Sequence, residues 1–494
     1  MPLGSDMLDY GNTKKSVLIK EFYDDFLSNL AKSWTPSPVW DMLPLELKPG
    51  IISMLAGKPN PVTFPFTSVS LGVRPPDASP GDGKSLDITL SDEELASGLQ
   101  YNLTIGMPAL VDLITNLVKH VHCASDHEGW RVSLGPGSQD LLYKALFALL
   151  SPGDTVLTES PTYPGVTPIF QILNCQIIEV SSDPDGIMPG SFENLLGNWP
   201  CDKQKPKLLY TIPVYHIIFT LILLADPFVI LKFGSNPTGI TTTEKRRVEI
   251  LRLARKHNFI ILEDDPYFHL YFGSEMRPAS YFALERTIGG DIGRVLRLDS
   301  FSKVLSAGFR FGWVTGPAPL VDAIDLHSSS STVQASSIVQ MLVYKVLSTW
   351  GLSGFLTHAT RVAEFYRARR DLFEQALRRH MRGLAEWTTP EAGMFYWVKL
   401  LLPPSSCSGR QNINGERQGN VEEGDAVPII RTKAIEKGVL VLPGAYALVD
   451  HRSSPFVRIS FSLISESDMD EGLKRLASVL REEWAAAKIH GSEK

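Results

Sequence analysis

Between about residue 100 and residue 315 the apolar positions fall into short runs separated by stretches of helical spacing. The runs at 155–157, 208–212, 259–262, 295–298 and 312–314 are too short for helices and read as strands. Strands alternating with helices predict an α/β body, because a parallel strand pair needs a crossover long enough to hold a helix. Upstream, the spacing over 17–31 predicts a helix, and the proline-punctuated run 36–49 predicts an arm leading into that body. Downstream, a helical pattern over 357–381 stops at Gly383, and strand-like runs at 395–398, 439–442 and 457–459 precede a last helix over 468–488. The expected organisation is an arm (1–60), a large domain with a mostly parallel sheet sandwiched by helices (61–350) and a smaller α+β domain (351–494). Residues 403–425, rich in Ser, Gly, Asn and Gln, predict a solvated insert.

At 494 residues the chain exceeds what one simple core holds. Apolar residues at 44% and charged residues at 21% match an ordinary globular protein and exclude a largely disordered one. A formal net charge of -6 argues against nucleic-acid binding. Cys123, Cys175, Cys201 and Cys407 lie far apart with no C-x-x-C pair, so no disulfide framework or structural zinc is expected and a reducing compartment fits. His120, His122 and Cys123 are close together, but nothing downstream completes a ligand set; they read as helix-surface residues and no metal is expected. The N-terminal stretch has no apolar signal core and carries Asp6, Asp9, Glu21, Asp24 and Asp25, unlike an acid-poor transit peptide, so a cytoplasmic protein is expected.

The chemistry concentrates in Leu298-Asp-Ser-Phe-Ser-Lys303-Val-Leu-Ser-Ala-Gly-Phe-Arg310. A lysine after a strand, with hydroxyls one and three residues before it and an arginine seven after, suits a phosphorylated aldehyde cofactor. Lys303 forms the Schiff base, and Ser300, Ser302 and Arg310 hold the phosphate through charge-assisted hydrogen bonds. An isolated loop lysine is usually a solvated charge, and the hydroxyls and arginine around this one argue against that reading. Gly135-Pro-Gly-Ser138-Gln139 opens a helix with a glycine turn where backbone N–H groups can meet an anion, although alone such a start is more often structural.

These motifs in this order resemble the class I/II aminotransferases, fold-type I enzymes that use pyridoxal 5'-phosphate. Within them the chain is similar to the 2-aminoadipate, kynurenine and fungal aromatic aminotransferases. The resemblance covers about residue 50 to the C-terminus. It implies that Asp264, in Glu-Asp264-Asp-Pro-Tyr267, pairs with the pyridine nitrogen and keeps the ring protonated as an electron sink. Tyr267 and Asn236, of Asn-Pro-Thr-Gly, donate to the ring O3′, and Asn236 also borders the substrate. Ser138 and Gln139 fall in the phosphate cup, and Tyr163 stacks on the ring where a bare tyrosine reads as core packing. Arg458, in Phe-Val-Arg458-Ile-Ser-Phe, binds the substrate α-carboxylate in a two-pronged pair that lysine cannot supply. Gly57 contacts the same carboxylate and Tyr101 reaches the neighbouring subunit's phosphate, so both depend on a homodimer. The implied reaction is ping-pong transamination of an amino acid, an aromatic one fitting best, with a 2-oxo acid such as 2-oxoglutarate as acceptor. 2-Aminoadipate and kynurenine are the alternative donors. Phe395 and Tyr396 are candidates for the side-chain pocket or for core strand.

One departure interrupts the pattern. Relatives read Thr-Ile-Pro-x-Gly-x-Asn-Pro-Thr-Gly without a break, whereas here Thr211-Ile-Pro213-Val is followed by the apolar run 215–233 before Gly234-Ser-Asn236-Pro-Thr-Gly239. A membrane span is opposed by Asp226 and Pro227 near its middle and by catalytic flanks on both sides. A natural loop or lid this apolar is an aggregation liability. The third reading, a short intron translated in frame, is preferred as a hypothesis: deleting 214–232 or 215–233 restores the pattern, valine codons begin with GT and a lysine codon can end in AG. On that reading the chain as written displaces Asn236 and its activity, not its family, is open. Other functions remain to be separated. A pyridoxal-phosphate lyase keeps Lys303, Asp264 and Arg458 but needs no oxo-acid acceptor. A transcription regulator of this fold needs a DNA-binding domain that the first 50 or so residues do not supply. If the run is intronic, mature message read across codons 205–245 lacks its nineteen codons, and their presence there overturns the idea.

Overall fold

The short apolar runs assemble into one seven-stranded sheet in the computed structural model, which describes residues 15–79, 81–183, 185–213, 242–403 and 424–491. The run at 215–233, Asn236 and nearly all of 403–425 lie outside these described residues. The strands are β1 (Trp130–Gly135), β2 (Thr155–Glu159), β3 (Gln176–Val180), β4 (Leu208–Thr211), β5 (Ile260–Asp264), β6 (Val295–Ser300) and β7 (Gly312–Pro317), in the order β1-β7-β6-β5-β4-β2-β3. β7 runs antiparallel to both neighbours and the other pairings are parallel. β4 to β7 are buried at every position, which requires cover on both faces and explains the apolar runs that begin β4, β5 and β6. Among the covering helices are α1 (Pro108–His122), α2 (Ser138–Leu149) and α3 (Glu244–His257). β1 and β3 carry polar residues such as Arg131, Ser133 and Glu179 and escaped the apolar-run criterion. Arg131 and Ser133 are satisfied by Asp325.

The helix expected over 17–31 is not continuous. A strand at Lys15–Val17 pairs with Gly290–Ile292, a 3-10 turn covers Lys20–Asp25, and a five-residue helix covers Asn29–Ser33. Ser28 sets the break: its Oγ accepts from the Ala31 N–H (2.9 Å) and donates to the Phe147 carbonyl (2.7 Å), capping a new helix against α2. Tyr23 and Phe26 thereby enter the core of the large sheet. His122 is also buried rather than on the helix surface, with Nδ1 2.8 Å from the Ser280 hydroxyl.

A second core lies under the antiparallel sheet β8 (Ala385–Trp387), β9 (Phe395–Leu400), β10 (Leu442–Pro443) and β11 (Phe456–Ser460), ordered β8-β9-β11-β10. The strand expected over 439–442 is thus confined to its last residue and Pro443. The chain passes between cores along α4 (Ser337–His380), broken at Gly351, whose φ of 65° is left-handed. Phe355 packs in the first core, and Phe373 and Leu377 in the second. The last helix, α5 (Glu466–Gly491), brings Leu473, Leu476 and Leu480 to the second core. Backbone bonds tie the two bodies: Phe272 N–H to Glu391 O (2.8 Å), Gly393 N–H to Leu270 O (3.2 Å) and Thr162 N–H to Ala447 O (2.8 Å). No helix among the described residues is long and apolar enough to cross a membrane.

Beneath the C-terminal edge of the large sheet, Arg297 is fully buried among three carboxylates: Glu263 (3.1 Å), Asp265 (3.5 Å) and Asp299 (2.7 Å). Glu263 also accepts the N–H groups of Tyr281 and Phe282 at the start of the helix Tyr281–Thr287. Removing the guanidinium leaves like charges buried together, so Arg297→Met is expected to cost about 3–5 kcal/mol, read as a lower denaturation midpoint of the cofactor-free protein.

Candidate active site

Parallel strands of one sheet end at one edge, and side chains at those ends converge. β5 ends in Asp264, β6 in Ser300, β4 in Thr211 and β2 in Glu159. Asp264 is 5% exposed. Its Oδ2 accepts the Tyr210 hydroxyl at 2.9 Å, while its Oδ1 is buried with no hydrogen-bond partner among the described residues. Burial pushes the carboxyl up to about 7; the Tyr210 hydroxyl opposes this, Asp265 and Asp299 add to it, and Arg297 pulls it back down. An acidic group so placed is completed by a positively charged N–H directed at Oδ1.

A second group of residues forms an anion cup. Gly137 precedes α2 with φ of 95°, which brings the start of α2 and its free backbone N–H groups against the Arg310 guanidinium. A Cβ at Gly137 would stand 2.7 Å from Arg310 Nη2, and one at Gly312 would stand 2.9 Å from the Ser138 nitrogen. Both glycines are therefore needed for the close approach. Arg310, itself left-handed at φ 48°, donates to Ser302 Oγ (3.3 Å), and Ser300 Oγ lies 2.9 Å from the same atom. Gln139 donates to the Gly165 carbonyl (3.2 Å), joining the loop of Tyr163 to the start of α2.

Lys303 stands between these ends, its Nζ 5.7 Å from the centre of the Tyr267 ring. Burial lowers its affinity for a proton, and the nearby Arg310 and Arg458 lower it further. Burial and Asp264 hold Tyr163 above its usual range, opposed by Arg458 and Arg310, which places its ring amid all three charges. Burial also pushes up the Tyr267 phenol, countered by Arg458. Arg458, from β11, lies over the Phe395 ring at 4.2 Å, and Phe395 meets Tyr267 edge-on at 6.4 Å.

Ser300, Ser302, Lys303, Arg310, Ser138, Tyr163, Asp264, Tyr267 and Arg458 are thus brought to one region. Gly57 and Tyr101 are not drawn into the buried cluster: both are exposed, and Gln100 next to Tyr101 donates to the Pro59 carbonyl (2.8 Å). Asn236 lies outside the described residues. Strand alternation separates the two aromatic candidates, since Phe395 faces Arg458 whereas Tyr396 is fully buried in the second core and donates to Glu374 (2.6 Å). Sequence reasoning missed Tyr210, although strand register could have found it: Tyr210 is paired with Leu262, two positions from Asp264 on the same face. The lysine amine, the anion cup and the unpaired Asp264 oxygen match the aldehyde, phosphate and ring nitrogen of pyridoxal phosphate.

Residues 82–476 match the family profile described as aminotransferase class I and II. Aminotransferase tdiD of Emericella nidulans is 38% identical, covering 92% of this chain and 94% of that protein. The mitochondrial kynurenine/alpha-aminoadipate aminotransferase of Bos taurus is 35% identical over 93% of this chain and 99% of its own. The crystal structure of the aromatic aminotransferase Aro9 from C. albicans superposes with a TM-score of 0.73 at 26% identity, covering 93% of this chain and 98% of that one.

Gly137→Ala is expected to displace the Arg310 guanidinium and weaken pyridoxal phosphate binding roughly tenfold, about 1.4 kcal/mol, measured by titrating the cofactor-free protein.

Proposed function

The chain belongs to the class I and II aminotransferases, and we propose that within this pyridoxal-phosphate-dependent family it moves the amino group of an aromatic amino acid to a 2-oxo acid such as 2-oxoglutarate. The observation that carries the choice of donor is the Phe395 ring beneath Arg458 and edge-on to Tyr267. A substrate whose α-carboxylate pairs with Arg458 meets an aromatic wall beside it.

Bound pyridoxal phosphate supplies an aldehyde that takes up the amino group and a protonated ring that draws electrons from the donor's Cα. Lys303 would carry the proton that leaves the donor's Cα, and its weakened hold on a proton raises the share of free amine available for that role. Asp264 would hold the ring N–H through Oδ1, and Tyr267 would donate to the ring hydroxyl oxygen, a role the sequence assigns also to Asn236, outside the described residues. Ser138, Ser300, Ser302 and Arg310 would hold the phosphate and Tyr163 would cover the ring, while Gln139 steadies the Tyr163 loop.

A homodimer is part of the proposal. Ile52 and Met54 are 90% and 95% exposed beside Gly57, and Tyr101 is 51% exposed, which suits a surface covered by a second copy that shares the site. So are the three-part division at about 60 and 350 and a cytoplasmic location, although the cattle relative is mitochondrial by name. That relative also supports the second reading, in which the donor is kynurenine or 2-aminoadipate.

The test is turnover of phenylalanine, kynurenine and 2-aminoadipate with 2-oxoglutarate, by the full chain and by a version lacking residues 215–233. Arg458→Lys is expected to lower kcat/KM for phenylalanine roughly 100-fold while cofactor binding stays intact, and Lys303→Ala to abolish turnover. Turnover of 2-aminoadipate alone moves the assignment to the second reading. Product without an oxo acid assigns a lyase, and activity in the shortened version alone makes the inserted run the silencing element.

A further inference from the structure

We propose that Tyr210 is a positioning residue: its hydroxyl fixes one oxygen of Asp264 so that the other is presented, charged and correctly turned, to the nitrogen of the cofactor ring. This rests on the assignment of Asp264 as the ring's partner.

A carboxylate on a short side chain rotates about its terminal torsion, and a buried one with a free oxygen has no preferred direction unless something holds its twin. The Tyr210 O–H does this at 2.9 Å from Oδ2, leaving Oδ1 buried and unpartnered among the described residues. Tyr210 is itself fully buried on β4, edge-on to Phe170 at 6.2 Å, so the phenol has no solvent to point to instead. Its bond spans adjacent parallel strands, which makes the geometry a property of sheet register rather than of a loop. The charged groups facing Asp264 are few. Asp265 on the same chain segment and Asp299 on β6 oppose its ionisation, as does burial, and Arg297 on β6 favours it. Tyr163 and Tyr267 also lie within its electrostatic reach. Against burial and two neighbouring acids, the hydrogen bond from Tyr210 favours the charged form of Asp264.

The test uses Tyr210→Phe, which keeps the ring and removes only the hydroxyl. In cofactor-free protein, the infrared carbonyl band of protonated Asp264, identified by its loss in Asp264→Asn, is expected to titrate about one pH unit higher. In the loaded enzyme the signal of a nitrogen-15 ring label is expected to move toward the unprotonated position. kcat for the donor falls about tenfold, with KM unchanged. Difluorotyrosine at position 210, a stronger donor of the same shape, is expected to move the Asp264 titration to lower pH, and this decides the matter if Tyr210→Phe proves unstable. An Asp264 band and a ring-nitrogen signal that stay put in both variants overturn the proposal. If Asp264→Asn itself leaves the ring-nitrogen signal unmoved, the assignment of Asp264 fails instead, a result distinguishable from the failure of Tyr210.

Discussion

The edge of the large sheet depends on negative charge taken out of water. Glu263, Asp264, Asp265 and Asp299 are all buried, and Arg297 is the cation that touches three of them. Burying a carboxylate is costly unless hydrogen bonds and counter-charge replace its water. Glu263 gets two backbone N–H groups, Asp299 gets two bonds from Arg297, and Asp264 gets a single hydroxyl. Asp264 and Asp265 each keep one carboxylate oxygen without a hydrogen-bond partner among the described residues, and of the two it is Asp264 that lies within electrostatic reach of Tyr163 and Tyr267. A ligand that completes a buried ion stabilises the state that binds it, so a cofactor paired with Asp264, as proposed, would couple its binding to folding.

The second body contributes by position. Arg458 sits on β11, in the middle of the small sheet, and reaches the cluster because α4 and three backbone bonds between the bodies hold that sheet beside the large one. Its guanidinium, the Phe395 ring and Tyr267 form a ladder from one body to the other. The residue proposed to recognise the substrate and those proposed to anchor the cofactor therefore come from different sheets.

Much of this was legible in the chain. Five of the seven large-sheet strands announced themselves as apolar runs because both faces are covered, and the Ser300 to Arg310 segment carried its chemistry within eleven residues. Local spacing suffices when the partners are local. Ser28 shows the opposite case: whether the 17–31 pattern continued as one helix depended on a hydroxyl whose partner, the Phe147 carbonyl, lies 119 residues away. Tyr210 was hidden for the same reason, and so were the cross-strand partners of Arg297, since a tyrosine in an apolar strand and an arginine between leucines reveal little until the register sets them beside Asp264 and Glu263. Gly57 and Tyr101 were marked by resemblance only, and their surroundings in a single chain are those of a surface.

Arg247 bears on the one irregularity in the sequence. Buried at the start of α3, it donates to the carbonyls of Thr242 (2.9 Å), Pro213 (2.6 Å) and Ala279 (2.9 Å), and Glu159 accepts the Ile212 N–H (3.2 Å) from the opposite side. One guanidinium thus fixes the points where the chain leaves β4 and where it returns to α3. Between ends fixed in this way, the entropy of closure grows only with the logarithm of chain length, so nineteen added residues cost about 1 kcal/mol even at the random-coil limit. That is small beside the stability of a domain, and the scaffold can therefore carry the extra run without yielding its fold, leaving chemistry as the property that the run puts at risk.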